Sequence, residues 1–506
     1  MKNAEQKKKT PYAHLFRLSH WVLSAGMLFL IFTGYGIHSV GMPSWSVLDN
    51  YPSFYPSMRM IYWHEIAGIL FAPASIIALF IFLRRVGPRL NNPRKAVNMV
   101  LICAGVVCSI TSIGIIYSDV PAILYHTCRF LHAACGMVLA PLALLTHILL
   151  ALFKYYRLIV SSFAPFRQQR WIHAVWLMAG IAVSWGFYTG YAPDVTGMNI
   201  LAAGKADRMV SRIEEADLLP WDRAKPLKFQ LTNGVGFDHG ITRASIRALY
   251  NSRYVYLKVQ WTDATYNRLY RPWIKTDSGW MHLNPGGSDE KIYNEDKIAL
   301  LFPISENPDF RRYGCSIYCH NNQNYRFGQH WTPSESIVDI WHWKSVRTDP
   351  FGHIDDKYWQ GVGEVKVESE ARHGDPGESG YYDNKVEGID NPIMLPTGLD
   401  SIMLGGLVKT KAGIYTKDSA AALPRGAAVP GIIISETKGD RADIHCRSSY
   451  RDGTWTLYIM RRMDTGSPYD IPFEPGGTYD FAMAAFDHSS FRHAYNHRTY
   501  RLHFIQ

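Results

Sequence analysis

The sequence predicts a bundle of five membrane-spanning helices followed by an all-β, sandwich-like external domain. Three observations carry that expectation. There are five apolar runs near the length of a membrane crossing, basic residues alternate between successive loops, and the composition changes abruptly after Tyr191. The apolar runs cover roughly 20–38, 63–83, 97–117, 130–153 and 171–190, each close to the ~20 residues that span a ~30 Å hydrocarbon core.

Residues 1–190 hold 16 Lys/Arg against four acids, Glu5, Asp49, Glu65 and Asp119, so the formal net charge of +10 belongs to this part. The N-terminal tail carries Lys2, Lys7, Lys8, Lys9 and Arg17, whereas the first loop has only Arg59. Arg84, Arg85, Arg89, Arg94 and Lys95 fill the second loop, Arg129 alone the third, and Lys154, Arg157, Arg167 and Arg170 the fourth. Basic loops stay on the cytoplasmic side, which sets a cytoplasmic N-terminus in the inner membrane, a multi-pass chain, and residues from 191 onward periplasmic or extracellular. Charge confined to loops between apolar runs points to a lipid bilayer and not to nucleic acid. No small-residue cleavage site follows the first run, so it reads as a retained anchor. The expected organisation is a membrane domain over 1–190, a linker over 191–239 and an external domain over 240–506.

Histidine within a span is costly and marks function by default. His20 lies at the cytoplasmic start of helix one and His64 at the external start of helix two. Helix four carries His132 near its external end and His147 near its cytoplasmic end. The topology therefore pairs His64 with His132 on the outer side and His20 with His147 on the inner side. Two imidazoles on facing helices at one depth suit bis-histidine ligation of haem iron. Fifteen residues separate His132 from His147, about 22 Å along a helix and about 60° in azimuth, so both can face one interior. Pro141 between them is placed to bend the helix. Arg17 and Arg129 each stand three residues before a histidine, on the same helical face, where a guanidinium can pair with a haem propionate. His14, His38 and His126 read as solvent or interfacial residues, and His173 as interfacial at the start of helix five. Cys103, Cys108, Cys128 and Cys135 behave as small apolar side chains in the spans.

These motifs carry a resemblance. RLSHW at His20, H-x-x-x-G at His64–Gly68 and again at His132–Gly136, and the further His147 resemble the di-haem membrane cytochrome b subunits of formate dehydrogenase and nickel–iron hydrogenase. The resemblance covers 12–153 and implies that four of the five helices form a di-haem cytochrome b bundle. It implies two haem b groups, ligands His20, His64, His132 and His147, and a quinone site near the inner haem.

Beyond Tyr191, residues 205–225 read as a helical linker. YVYLKVQW (254–261), KIALLFPI (297–304), GTWTLYIMRR (453–462) and TYDFAMAAF (478–486) read as strands, and 365–392 as an exposed acidic loop. Cys315, Cys319 and His320 form C-x-x-x-C-H, one residue longer than the usual haem-attachment sequence. Two thiols there would form thioethers with haem vinyl groups while the histidine binds iron; a Cys315–Cys319 disulfide is the alternative. NEDKIALLF, DIWHWKSVRTDP, DGTWTLYIMRRMDTG and TYDFAMAAFDHSSFRHAYNH resemble the haem-binding γ subunit of ethylbenzene dehydrogenase. That resemblance implies a β-sandwich holding one haem through methionine and lysine. The cysteines and His320 depart from it and imply a c-type haem with His320 as one axial ligand. Lys344 and His493 are the leading candidates for the second, with His342 and several methionines also available.

The expected function is electron transfer between membrane quinone and the external haem, with a molybdenum enzyme or a c-type cytochrome as external redox partner. The alternative is a membrane-anchored binding or sensor module whose β-domain carries no redox haem. Phosphate-cradling loops, G-x-S-x-G and H-E-x-x-H are absent from the sequence, so no hydrolytic or nucleotide chemistry competes.

Overall fold

The computed structural model describes residues 20, 23–34, 57–86, 93–116, 122–150, 200–206, 210–283, 293–305, 307, 310–311, 314, 336–360, 372–490, 492–496 and 499–506. The chain divides into two units, Met1–Thr196 and Gly197–Gln506.

In the first unit the described helices are α1 (Leu23–Gly34), α2 (Ser57–Val86), α3 (Pro93–Ile116) and α4 (Ala122–Ala133). The last runs through one π-helical segment, Ala134–Leu139, and stays helical to Leu150. Three stretches are long and apolar enough to cross a membrane, Trp63–Arg84, Lys95–Ile115 and Thr127–Leu150, and α1 is a shorter apolar helix. The expected fifth span, 171–190, lies outside the described residues. Ile76, Ile77 and Phe80 of α2, Ile110 and Ile113 of α3, and Phe130 of α4 are all exposed. Water would penalise such a surface, whereas hydrocarbon accepts it. Between helices the packing uses small residues: a Cβ on Gly105 would stand 2.9 Å from Phe71 Cε1, so α2 and α3 approach closely only because Gly105 has none.

The second unit is built on one hydrogen-bonded sheet of thirteen strands. In chain order these are β1 (Ile200–Lys205), β2 (Leu227–Leu231), β3 (Thr242–Tyr250), β4 (Tyr254–Thr262), β5 (Lys297–Pro303), β6 (Ile337–Lys344) and β7 (Asp355–Gln360). They continue with β8 (Arg372–Gly374), β9 (His445–Arg451), β10 (Thr454–Arg462), β11 (Thr478–Phe486), β12 (Ala494–Tyr495) and β13 (Tyr500–Phe504). The spatial order is β8-β7-β6-β5-β11-β13-β1-β3-β4-β10-β9, with β2 beside β3 and β12 beside β11. Strand β11 changes partner along its length: Thr478–Phe481 pair with β13, and Ala482–Phe486 pair with β5.

Side chains from both halves of this path share one core. Ile298, Leu300, Phe302, Trp341 and Trp343 from β5 and β6 pack with Ile246, Leu257, Val259, Trp261, Trp455 and Leu457 from β3, β4 and β10. Its centre is a tryptophan trio. The Trp343 ring lies 5.6 Å from Trp261 and 5.1 Å from Trp455, both edge-on, while Trp261 and Trp455 stack at 5.9 Å. Edge-to-face and offset rings satisfy the aromatic quadrupole, and two of the three indole N–H groups find acceptors. Trp343 Nε1 donates to Asp349 Oδ1 at 2.9 Å and Trp455 Nε1 to Asp296 Oδ2 at 3.2 Å.

Two expectations need correction. Residues 200–231, expected within the linker, contribute β1 and β2 to the sheet, and between them Val210, Ile213, Ala216, Leu219 and Trp221 form a buried cluster. The acidic stretch 365–392 is not simply an exposed loop. Residues 372–374 pair with β7, 381–383 pair with 432–434, and Asp375 and Asn384 are buried.

Trp343→Ala removes the edge that both other tryptophans pack on. It is expected to destabilise the second unit by about 3–5 kcal/mol, read by denaturant unfolding of the full chain, while Leu399→Ala at an exposed site leaves it unchanged.

Candidate functional site

The four membrane histidines meet in two pairs. The His20 and His147 rings lie 5.8 Å apart with planes at 52°, and the His64 and His132 rings 5.9 Å apart at 68°. An imidazole–metal–imidazole stack with metal–nitrogen bonds of about 2.0 Å sets ring centroids about 6 Å apart. Both pairs meet that requirement.

The Nδ1 atoms are engaged. His64 Nδ1 lies 2.8 Å from Thr33 Oγ1, whose own hydroxyl donates to Phe29 O at 2.8 Å. That hydroxyl is therefore free to accept, which makes His64 the Nδ1–H donor. His132 Nδ1 lies 3.0 Å from Cys108 O and 3.2 Å from Thr111 Oγ1, and Thr111 donates to Val107 O at 2.7 Å. His147 Nδ1 lies 2.9 Å from Asn98 Oδ1. Each arrangement favours the tautomer that leaves the Nε2 lone pair for a metal. Helix α3 carries no histidine, yet it supplies Asn98, Cys108 and Thr111 to both histidines of the neighbouring helix. Sequence reasoning missed Thr33, Asn98 and Thr111. The available signal was a hydrogen-bonding side chain inside an apolar run.

Gly34 and the π segment border the outer pair. A Cβ on Gly34 would touch His64 Cε1 at 3.4 Å. The π segment begins two residues after His132, and such insertions mark functional positions in helices. Arg129 lies one turn before His132 on the same helix. Arg17 lies outside the described residues.

In the external unit, Cys315, Cys319 and His320 lie outside the described residues. Lys344 is buried, and its ammonium is engaged by Asp355 and by the Tyr381 hydroxyl at 2.8 Å. Asp355 also accepts from Arg441 Nε at 2.7 Å and lies 3.2 Å from Lys357 Nζ. Burial alone would raise the Asp355 carboxyl, but Lys344, Lys357 and Arg441 together hold it well below the usual carboxylate range. His493 is buried with its ring 4.7 Å from Phe486, and the His342 ring lies 5.7 Å from the same phenyl group. Burial, reinforced by Lys344 and Lys297, pushes the His342 imidazole well below its ordinary value, so it stays neutral.

Residues 220–498 match the family described as ethylbenzene dehydrogenase, and residues 11–166 match that described as prokaryotic cytochrome b561. Both family resemblances expected from the motifs are thus borne out. No curated protein matches the chain. Among solved structures it is similar to a putative carbohydrate-binding protein from Bacteroides uniformis, at 9% identity and a TM-score of 0.27 over 60% of this chain and 99% of that one. It is also similar to a family 9 carbohydrate-binding module from Caldicellulosiruptor kristjanssonii. The glucose complex of that module gives 7% identity and a TM-score of 0.23 over 60% and 95% of the chains, and the cellotriose complex 8% and 0.23 over 61% and 95%. At such scores the likeness says nothing of ligand or activity.

Asn98→Leu strips the acceptor from His147. It is expected to weaken retention of the group held by that histidine about 10–100-fold, measured as the b-haem-to-protein ratio after detergent washing. Thr111→Val leaves Cys108 O in place and costs less. Asp355→Asn leaves Lys344 and Arg441 buried without their carboxylate and is expected to destabilise the fold by about 3–5 kcal/mol at pH 7. Because the folded-state value is depressed, that contribution is complete above the unfolded value near ~4 and is lost as pH falls through the folded one. The difference between wild type and variant in denaturant unfolding therefore shrinks below that pH.

Proposed function

The chain belongs to the ethylbenzene dehydrogenase family, and from that premise we propose that it carries electrons between membrane quinone and its external domain. The cytochrome b561 match supports transmembrane electron transfer for the first unit. The observation that carries the reading is the pair of histidine pairs at 5.8 and 5.9 Å. Haem bound there would supply one-electron redox chemistry, held by His64 and His132 on the outer side and by His20 and His147 on the inner side. Thr33, Cys108 O, Thr111 and Asn98 hold the imidazoles in the ligating tautomer and orientation. Arg17 and Arg129 offer positive charge to propionates. The exposed apolar side chains of α2 and α3 suit a hydrocarbon surrounding.

In the external unit Cys315, Cys319 and His320 would anchor a third haem, of c type. As its second ligand Lys344 is disfavoured by its ion pair with Asp355, whereas His493 and His342, both against Phe486, are the better supported imidazoles. Quinone would exchange electrons at the inner pair, on the cytoplasmic side. A molybdenum enzyme or a c-type cytochrome would exchange them with the external unit, on the periplasmic or extracellular side.

The test is a haem count by type on the purified full chain, from pyridine haemochrome spectra before and after acid-acetone extraction. Two extractable b haems and one retained by the polypeptide are expected. His132→Leu and His147→Leu should each remove one extractable haem and leave the retained one. A chain with no extractable haem overturns the reading; two extractable and none retained would remove the third haem from it.

A further inference from the structure

Four aspartates far apart in sequence converge inside the external unit: Asp339 on β6, Asp356 on β7, Asp375 just after β8, and Asp470 in the segment between β10 and β11. Each is at most 3% exposed. One carboxylate oxygen from each of Asp339, Asp356 and Asp470 lies within 4.8 Å of the others, and the same holds for Asp375, Asp440 and Asp470. Asp470 joins the two groups. The guanidinium of Arg461, itself buried, stands among them, with Nη2 3.2 Å from Asp470 and 3.7 Å from Asp339. One guanidinium leaves most of that negative charge uncompensated.

Protein donors reach only part of the cluster. Asp339 Oδ2 accepts from Ile471 N at 3.0 Å, Asp356 Oδ1 from Lys357 N at 3.0 Å, and Asp470 Oδ2 from Thr465 Oγ1 at 2.5 Å. The second oxygen of each of those three, and both oxygens of Asp375, are buried with no hydrogen-bond partner among the described residues. A buried carboxylate oxygen without a donor is costly, and five in one place are not a packing accident. A second buried trio, Asp263, Asp296 and Asp487, shows the contrast. There Thr265, Asn267, His488 and Trp455 donate to the carboxylates, and a single oxygen, Asp263 Oδ2, lacks a donor.

We propose that Asp339, Asp356, Asp375 and Asp470 hold a calcium ion, with Asp440 at its rim. Calcium takes 6–8 oxygen ligands in flexible geometry, which five unpaired carboxylate oxygens and water can supply. Magnesium demands a tight octahedron and keeps its water, and zinc prefers nitrogen and sulfur donors. The ion joins β6, β7, the turn at Asp375 and the segment at Asp470, four pieces that are not contiguous in the chain, so its binding energy adds to fold stability.

The test uses the full chain in detergent, with metal analysis after dialysis and thermal unfolding in calcium, in magnesium and in EGTA. One calcium per chain is expected, with a midpoint about 5–10 °C lower in EGTA than in excess calcium and little rescue by magnesium. The deciding variant is Asp375→Asn, whose carboxylate makes no protein hydrogen bond that the substitution could break. If calcium is bound, the variant loses it, unfolds at a lower temperature in calcium, and no longer responds to EGTA. If no ion is bound, removing an unpaired buried carboxylate raises the midpoint in every buffer. That rise, or the absence of stoichiometric calcium with an unchanged midpoint in EGTA, overturns the proposal.

Discussion

An imidazole has two ring nitrogens, and inside hydrocarbon neither can turn to water. The membrane unit resolves this for His64, His132 and His147 by tying Nδ1 to a threonine hydroxyl, a backbone carbonyl or an asparagine carbonyl. The rings of each pair then stand 5.8 and 5.9 Å apart, room for one metal ion between them. Much of the local sequence follows from that requirement. Thr33 and Thr111 keep their own hydroxyl protons on the preceding turn, at Phe29 O and Val107 O, so that they can accept. Helix α3 places polar residues at both ends to serve histidines it does not carry.

The same economy governs the external unit, where charge is buried in groups. Asp355 is surrounded by Lys344, Lys357 and Arg441, and Glu295 accepts from the backbone of Val346 and Arg347 and pairs with the Arg347 guanidinium. Low dielectric makes such groups strong when complete and costly when broken. The aspartates around Arg461 differ because their protein donors run out before their oxygens do.

What was legible in the sequence is what repeats locally. Strands expected at 254–261 and 478–486 appear at Tyr254–Thr262 and Thr478–Phe486, because alternation over eight or nine residues is a local signal. The histidine pairing was legible because charge alternation orders the helices and fixes which ends share a depth. Partners that depend on tertiary packing were not legible. β1 looked like linker because its neighbour β13 lies some three hundred residues later, with Ile200 opposite Arg501. Lys344 was a candidate haem ligand in the sequence because Asp355 and Tyr381 reach it from separate strands. Asp339, Asp356, Asp375 and Asp470 look unrelated along the chain until the strands bring them together.

The position of β13 has a consequence for how the external unit is made. Five residues, Tyr500–Phe504, lie between β11 and β1, and every other strand belongs to one side of that seam or the other. Without them the runs β8-β7-β6-β5-β11 and β1-β3-β4-β10-β9 touch only through isolated bridges, Thr232 with Tyr495 and His353 with His445, and each keeps a raw edge where the seam will be. During synthesis β1 is among the first external segments to appear, and it keeps that edge open until β13 has been made. Exposed strand edges are templates for pairing with other chains, and closing a sheet across so many residues is slow. The nascent domain is therefore most vulnerable to intermolecular association late in its synthesis, when nearly all of its core is already present.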